Sequence, residues 1–253
     1  VEVSQMGMDI PTQWLYPASL EDAAQVQRLL AEKVVREDQL PAIERIGGLD
    51  VSNNLRDPEN WVYASVASLG FPALKLMETT CAKVQSTLPY MPGFLAFREV
   101  PALVEAYGQL QIKPDLLMVD GHGISHPRGL GIASHLGVLL NCPTIGVAKS
   151  ILVGKPLSEP GNQVGDYVPL VWRGNTLGAV LRTRPNVAPV YISTGHKISL
   201  ETAIEWVVRC LTRYRLPEPT RQAHQAANNC RKGLGDNSLT PVTGHLPLLF
   251  SDT

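Results

Sequence analysis

Leu116-Leu117-Met118-Val119-Asp120-Gly121-His122-Gly123 is the stretch on which the fold turns. Four apolar residues are closed by a carboxylate and a glycine, too short for a helix and right for a buried strand. Outward from it, Leu130–Leu140 has the apolar content and length of a helix, and Thr144–Val147 is a second buried strand. Strand, helix and strand in that order describe a parallel sheet. Upstream the pattern differs. Ile46–Val51, Trp61–Leu69 and Ala73–Thr80 are strand-like runs joined by short turns, Gly70-Phe71-Pro72 being one, and they suggest an antiparallel meander. The expected architecture is α/β: a mixed sheet with a three-strand antiparallel meander extended by parallel strands and flanked by helices.

Helices are expected over Ser19–Val34, where Ser19 and Asp22 approximate a capping box, over Phe94–Leu110 despite Pro101, and over Leu200–Tyr214. Thr176–Leu181 and Val190–Ser193 read as a further strand pair or edge. The domain plan is an irregular extension over 1–18, one catalytic domain over 19–227, and a polar, loosely packed tail over 228–253.

The chain has 253 residues, nearly half of them apolar, and a net charge of −1. Its charge is unevenly placed. Ser19–Asn60 carries nine acids against five bases; Lys197–Lys232 carries seven bases against three acids. The second segment could hold a phosphate backbone. Four scattered cysteines, without a CxxC, argue against a disulfide-stapled or zinc-ribbon protein and fit a reducing cytoplasm. Cys142 and Cys210 read as core residues. No apolar run is long enough for a membrane span, and the start lacks the pattern of a signal peptide.

Two acids stand at strand ends, Asp50 in Gly47-Gly48-Leu49-Asp50-Val51 and Asp120. If those strands are neighbours the carboxylates converge, an arrangement that is costly unless a cation lies between them. Oxygen donors of this kind suit Mg²⁺. Glu99, on the intervening helix, could be a third acid. Each also has a bland reading: a strand-end Asp is commonly a turn former or helix cap, as expected for Asp57 and Asp115, and a helical Glu is commonly solvated.

Five further features carry two readings each. The stretch from Gly121 to Gly131 could bring backbone amides to a ligand, or be a loop and helix start. Pro89-Tyr90-Met91-Pro92-Gly93 could be a rigid wedge that unstacks bases, or a connector with Tyr90 buried. Lys149 could offset phosphate charge, or be a surface lysine. His224 could be a metal ligand or a surface residue, and His196 could contact phosphate or cap the helix that starts at Ser199.

As an ordered set, Pro89–Glu99, Val119–Arg128, Gly146-Val147-Ala148-Lys149 and Leu216-Pro217-Glu218-Pro219-Thr220-Arg221 resemble endonuclease V, in its bacterial form, from Glu21 to about Ala227. The resemblance implies a ribonuclease-H-like fold. It implies hydrolysis of the second phosphodiester bond 3′ to inosine in single- or double-stranded DNA, leaving a nick without removing the base. It casts Asp50, Glu99, Asp120 and His224 as the metal site, His126 and Lys149 as residues near the scissile phosphate, Tyr90 and Pro92 as the wedge, and Gly93, Leu95, Gly121, Gly123 and Ile132 as the pocket for the flipped base. A histidine at 224, where many bacterial relatives have Asp, removes one negative charge and tilts the site towards Mn²⁺. The expected molecule is a monomeric cytoplasmic DNA repair enzyme. The alternatives are an inosine-specific ribonuclease acting on RNA and a non-catalytic inosine-binding repair scaffold.

Overall fold

The structure, a computed structural model, describes residues 10–54 and 57–234. Along the chain come α1 (Thr12–Leu15), α2 (Leu20–Glu32), β1 (Arg45–Asn53), β2 (Trp61–Gly70), β3 (Lys75–Gln85) and α3 (Leu95–Gly108). They are followed by β4 (Leu116–Val119), α4 (Ile132–Leu140), β5 (Thr144–Ala148), β6 (Lys155–Pro156), β7 (Tyr167–Trp172), β8 (Asn175–Leu181), β9 (Val190–His196), α5 (Leu200–Arg209) and α6 (Glu218–Arg231). Among the described residues the strands form one sheet in the order β3-β2-β1-β4-β5-β9-β8-β7-β6. The meander β1–β3 is antiparallel, as expected, and β4 and β5 extend it in parallel. β9 then returns antiparallel to β5 and pairs with β8.

Alternation along the central strands sends side chains to two cores. Leu49, Leu117 and Val119 pack with α3 and α4 on one face; Ile46, Leu116, Met118 and Ile145 pack with α5 on the other. α3 runs through Pro101, and Ser19 caps α2 by accepting from the Asp22 amide at 3.0 Å. Asp115 and Asp57 take the local roles expected of them: Asp115 accepts from the amides of Glu44 and Arg45, and Asp57 from those of Glu59 and Trp61.

The structure departs from the sequence expectation in five places. Within 10–18, a short α1 forms and buries Leu15. α5 stops at Arg209, and the carbonyl of its capping residue Cys210 accepts from the Glu218 amide at 2.9 Å. β6 and β7 were not expected; they lie at the sheet edge with few buried positions. α6 takes in 228–231, which had been assigned to the tail, and buries Cys230; residues 235–253 lie outside the described residues. Cys230 is joined to Cys81 by a disulfide, which runs against the expectation of a protein without disulfide staples; α6 crosses β3 at that position. Cys142 and Cys210 are buried thiols, as expected. No helix among the described residues is long and apolar enough to cross a membrane.

Candidate active site

The parallel register of β1 and β4 builds the centre of the site. Gly48 lies beside Met118 and Leu49 beside Val119, so the next pair outward is Asp50 and Asp120; the Asp120 amide donates to the Leu49 carbonyl at 2.9 Å. By alternation both carboxylates point to the face that α6 covers. α6 lies unusually close to the sheet, since a Cβ on Gly48 would overlap the Pro219 carbonyl. The Ser65 hydroxyl also donates to the Ala223 carbonyl at 2.7 Å. This docking brings the next residue, His224, to Asp50, with Nδ1 2.5 Å from Oδ2.

Donor atoms of Asp50, Asp120 and His224 all lie within 4.8 Å of one another. Lys149, at the end of β5, forms an ion pair with Asp120. Glu99 stands outside this tight group, and its Oε1 accepts from Asn53 Nδ2 at 3.1 Å. It still feels the others: burial first, and then the Asp50 carboxylate, push its pKa up to about 8. Burial and then Asp50 likewise raise Asp120 to about 6, against the pull of Lys149. The hydrogen bond to Asp50 raises His224. Crowded acids, two of them reluctant to ionise, beside one lysine and one histidine are the electrostatics that a bound divalent cation relieves. Asp50, Asp120 and His224, with Glu99 behind them, therefore fit such an ion in donor type and spacing.

The remaining candidates divide. Tyr90 is 49% exposed, and Pro89 and Pro92 are exposed beside it, which removes the buried-connector reading. Leu95 is also exposed, and Gly93 has a φ of +79°. Gly121 and Gly123 sit tightly: a Cβ on Gly121 would strike Ile132, and one on Gly123 the Thr194 carbonyl. Their amides are already used, Gly121 donating to the Val147 carbonyl at 3.3 Å and Gly123 to the Ser193 hydroxyl at 2.8 Å. Their contribution is close packing, of Gly121 on Ile132 and of Gly123 on the Thr194 backbone, rather than free donors. His126 lies apart from the acidic group, buried, with burial holding its pKa down at about 4. His196 neither caps a helix nor faces solvent; it is buried, and its Nδ1 accepts from the Val35 amide at 3.2 Å, while Ser199 caps α5.

Sequence reasoning passed over Asn228, Ser52 and Asn53. Asn228 Nδ2 lies 3.1 Å from His224 Nε2, and its Oδ1 accepts from the Ser52 hydroxyl at 2.9 Å, which orients the imidazole. Nothing local to these polar residues marks them.

A family model described as Endonuclease V matches residues 28–225. The endonuclease V of Rhodospirillum centenum is 53% identical over 231 residues, covering 90% of this chain and 96% of that protein. Among solved structures, endonuclease V from Streptomyces avermitilis superposes with a TM-score of 0.82 at 36% identity, covering 88% of this chain and 97% of that one. Endonuclease V from Ciona intestinalis, solved in complex with a 24mer DNA containing an inosine followed by a ribo-adenosine, gives a TM-score of 0.75 at 29% identity, covering 85% and 99%. With sequence and three-dimensional structure matched over most of its length, the chain belongs to the endonuclease V family and is a nuclease that hydrolyses phosphodiester bonds.

Proposed function

We propose that this enzyme nicks DNA at a deaminated purine, hydrolysing the second phosphodiester bond 3′ to hypoxanthine in a Mg²⁺-dependent reaction, with Mn²⁺ as a second competent ion. The observation that carries this reading is the meeting of Asp50 and Asp120 across adjacent parallel strands, with His224 brought to them by α6. These three residues would hold the ion, with Glu99 set back behind them. When bound, a divalent cation supplies charge neutralisation and Lewis-acid activation for phosphodiester hydrolysis.

The chain's own groups do the rest. Lys149, partly exposed beside Asp120, offsets charge that builds on the phosphate. Arg215 holds that strand end by donating to the Lys149 carbonyl at 3.1 Å. Arg213 and Arg221 flank the Tyr214 ring at 5.1 and 4.4 Å, giving the basic segment a cationic, aromatic surface for a nucleic-acid backbone. The exposed Tyr90 segment is placed to open the stack, and inosine pairs weakly, so extruding it costs less than extruding a normal base. Gly93, Leu95, Gly121, Gly123 and Ile132 form the receiving pocket, and neutral His126 stiffens its wall.

The test is a side-by-side cleavage assay on inosine DNA, undamaged DNA and inosine RNA in Mg²⁺, Mn²⁺ and EDTA. Metal-dependent nicking of inosine DNA above both other strands is expected; equal cutting of undamaged DNA, or cutting in EDTA, overturns the proposal. Asp120→Ala is expected to keep inosine-strand binding and lose nicking.

A further inference from the structure

The exposed segment 89–92 is tied at both ends by arginines on carbonyl oxygens. On its entry side, buried Arg98 donates from Nη1 to the Leu88 carbonyl at 2.9 Å. On its exit side the anchor is more elaborate and joins three elements at one peptide. The Gly93 carbonyl accepts from Gln27 Nε2 of α2 at 2.9 Å and from Arg128 Nη2, in the loop between β4 and α4, at 2.6 Å. Arg128 Nε donates in turn to Gln27 Oε1, and its guanidinium lies 4.3 Å over the Phe94 ring. The His126 ring accepts from the Arg128 amide at 3.2 Å, which ties the same loop down.

Gln27 is fully buried although it sits on the outermost helix of that face, and it falls one residue before the span that the family model matches. A buried amide side chain requires partners, and here both its donor and its acceptor are used on this one junction. Gly93 is itself in the left-handed region, and a Cβ there would lie 2.9 Å from Arg128 Nη2, so clamp and hinge are fitted to each other. A rigid anchor of this kind fixes the direction in which the chain enters α3, and therefore where Tyr90 points.

We infer that Gln27 and Arg128 are positioning residues for lesion discrimination: by gripping the Gly93 carbonyl they hold the Tyr90 segment in the pose that separates the stack at inosine. This rests on the wedge reading of Tyr90. Neither side chain belongs to the acidic cluster, so their effect falls on recognition rather than on hydrolysis. Holding a group in its working geometry before substrate arrives removes an ordering cost that would otherwise weaken the committed complex.

The test is a double-mutant cycle on the full chain. Gln27→Met keeps the volume and removes both hydrogen bonds; Arg128→Lys keeps the charge and removes the two-pronged grip. The readout is the ratio of kcat/KM on inosine DNA to that on undamaged DNA, with 2-aminopurine fluorescence beside the lesion reporting unstacking. Each variant is expected to lower the ratio about tenfold, the scale of losing one buried bond to a charged donor. In a Tyr90→Ala background neither is expected to lower it further. Effects that add to that of Tyr90→Ala, or an unchanged ratio in both variants while Tyr90→Ala lowers it, overturn the inference. If Tyr90→Ala leaves the ratio unchanged, the wedge reading falls first and the clamp's route falls with it. Thermal melts confirm that the variants are folded, and Gln27→Glu, which retains the Arg128 contact but cannot donate to Gly93, is expected to recover the ratio only in part.

Discussion

Gly48 carries no chemistry, yet the position of His224 depends on it. A methyl group there would collide with backbone at Pro219, which no rotamer change can relieve. Gly48→Ala is expected to lower stability by about 3 kcal/mol, the upper range for overpacking a dense interior, and to reduce nicking because α6 shifts. A urea midpoint matching the parent's would show that the helix has more freedom than this contact allows. His224 itself is half exposed and hydrogen-bonded to Asp50, and a carboxylate in its place would add a negative charge. His224→Asp is expected to raise the ratio of Mg²⁺-supported to Mn²⁺-supported activity, because oxygen donors favour the harder ion. An unchanged ratio would place ion choice elsewhere in the site.

Among the elements, α6 is the one whose placement was hardest to foresee. The central strands were legible because burial on both faces leaves unbroken apolar runs, and the strand-end carboxylates stood out against them. The helix α5 was legible from its apolar period but not its end, where the Cys210 carbonyl accepts from the Glu218 amide, a pairing with no local signature. α6 has few apolar residues, so its periodicity is faint; what holds it is a glycine on another strand, polar contacts with Ser52 and Ser65, and a bond between Cys81 and Cys230, 149 residues apart. Such pairings have no local signature. The acids Asp50 and Asp120 could be chosen from sequence, but that Glu99 stands back with Asn53 while His224 moves in could not. Where the disulfide is formed, its loss should cost typically 2–4 kcal/mol. Thermal melts of the oxidised protein are thus expected to fall on adding reductant and to match those of Cys230→Ser; coincident melts with and without reductant would show that α6 is held without it.

For the whole molecule, the histidines make stability depend on acidity. Burial holds His135 and His196 at a pKa of about 4, below the ordinary value of about 6.5. The unfolded chain therefore binds more protons than the folded one between those limits. Their contribution is complete above about pH 6.5 and is lost as pH falls towards about 4. His135 donates from one ring nitrogen to the Trp14 carbonyl at 2.8 Å and has no partner for the other among the described residues, so a second proton would be stranded. Urea midpoints are expected to drop across that window, with a shallower slope in His135→Gln; parallel slopes would show that His135 contributes nothing to the loss. The order of the elements has a different consequence. Asp50 and Asp120 lie on early strands, but His224 comes on the last helix of the described residues, 174 positions after its partner Asp50. A growing polypeptide thus leaves the ribosome with its acids in place and their histidine still to be made. The site is complete only once the helix that carries His224 has been made, so a chain ended at Leu216 is expected to be inert in a nicking assay.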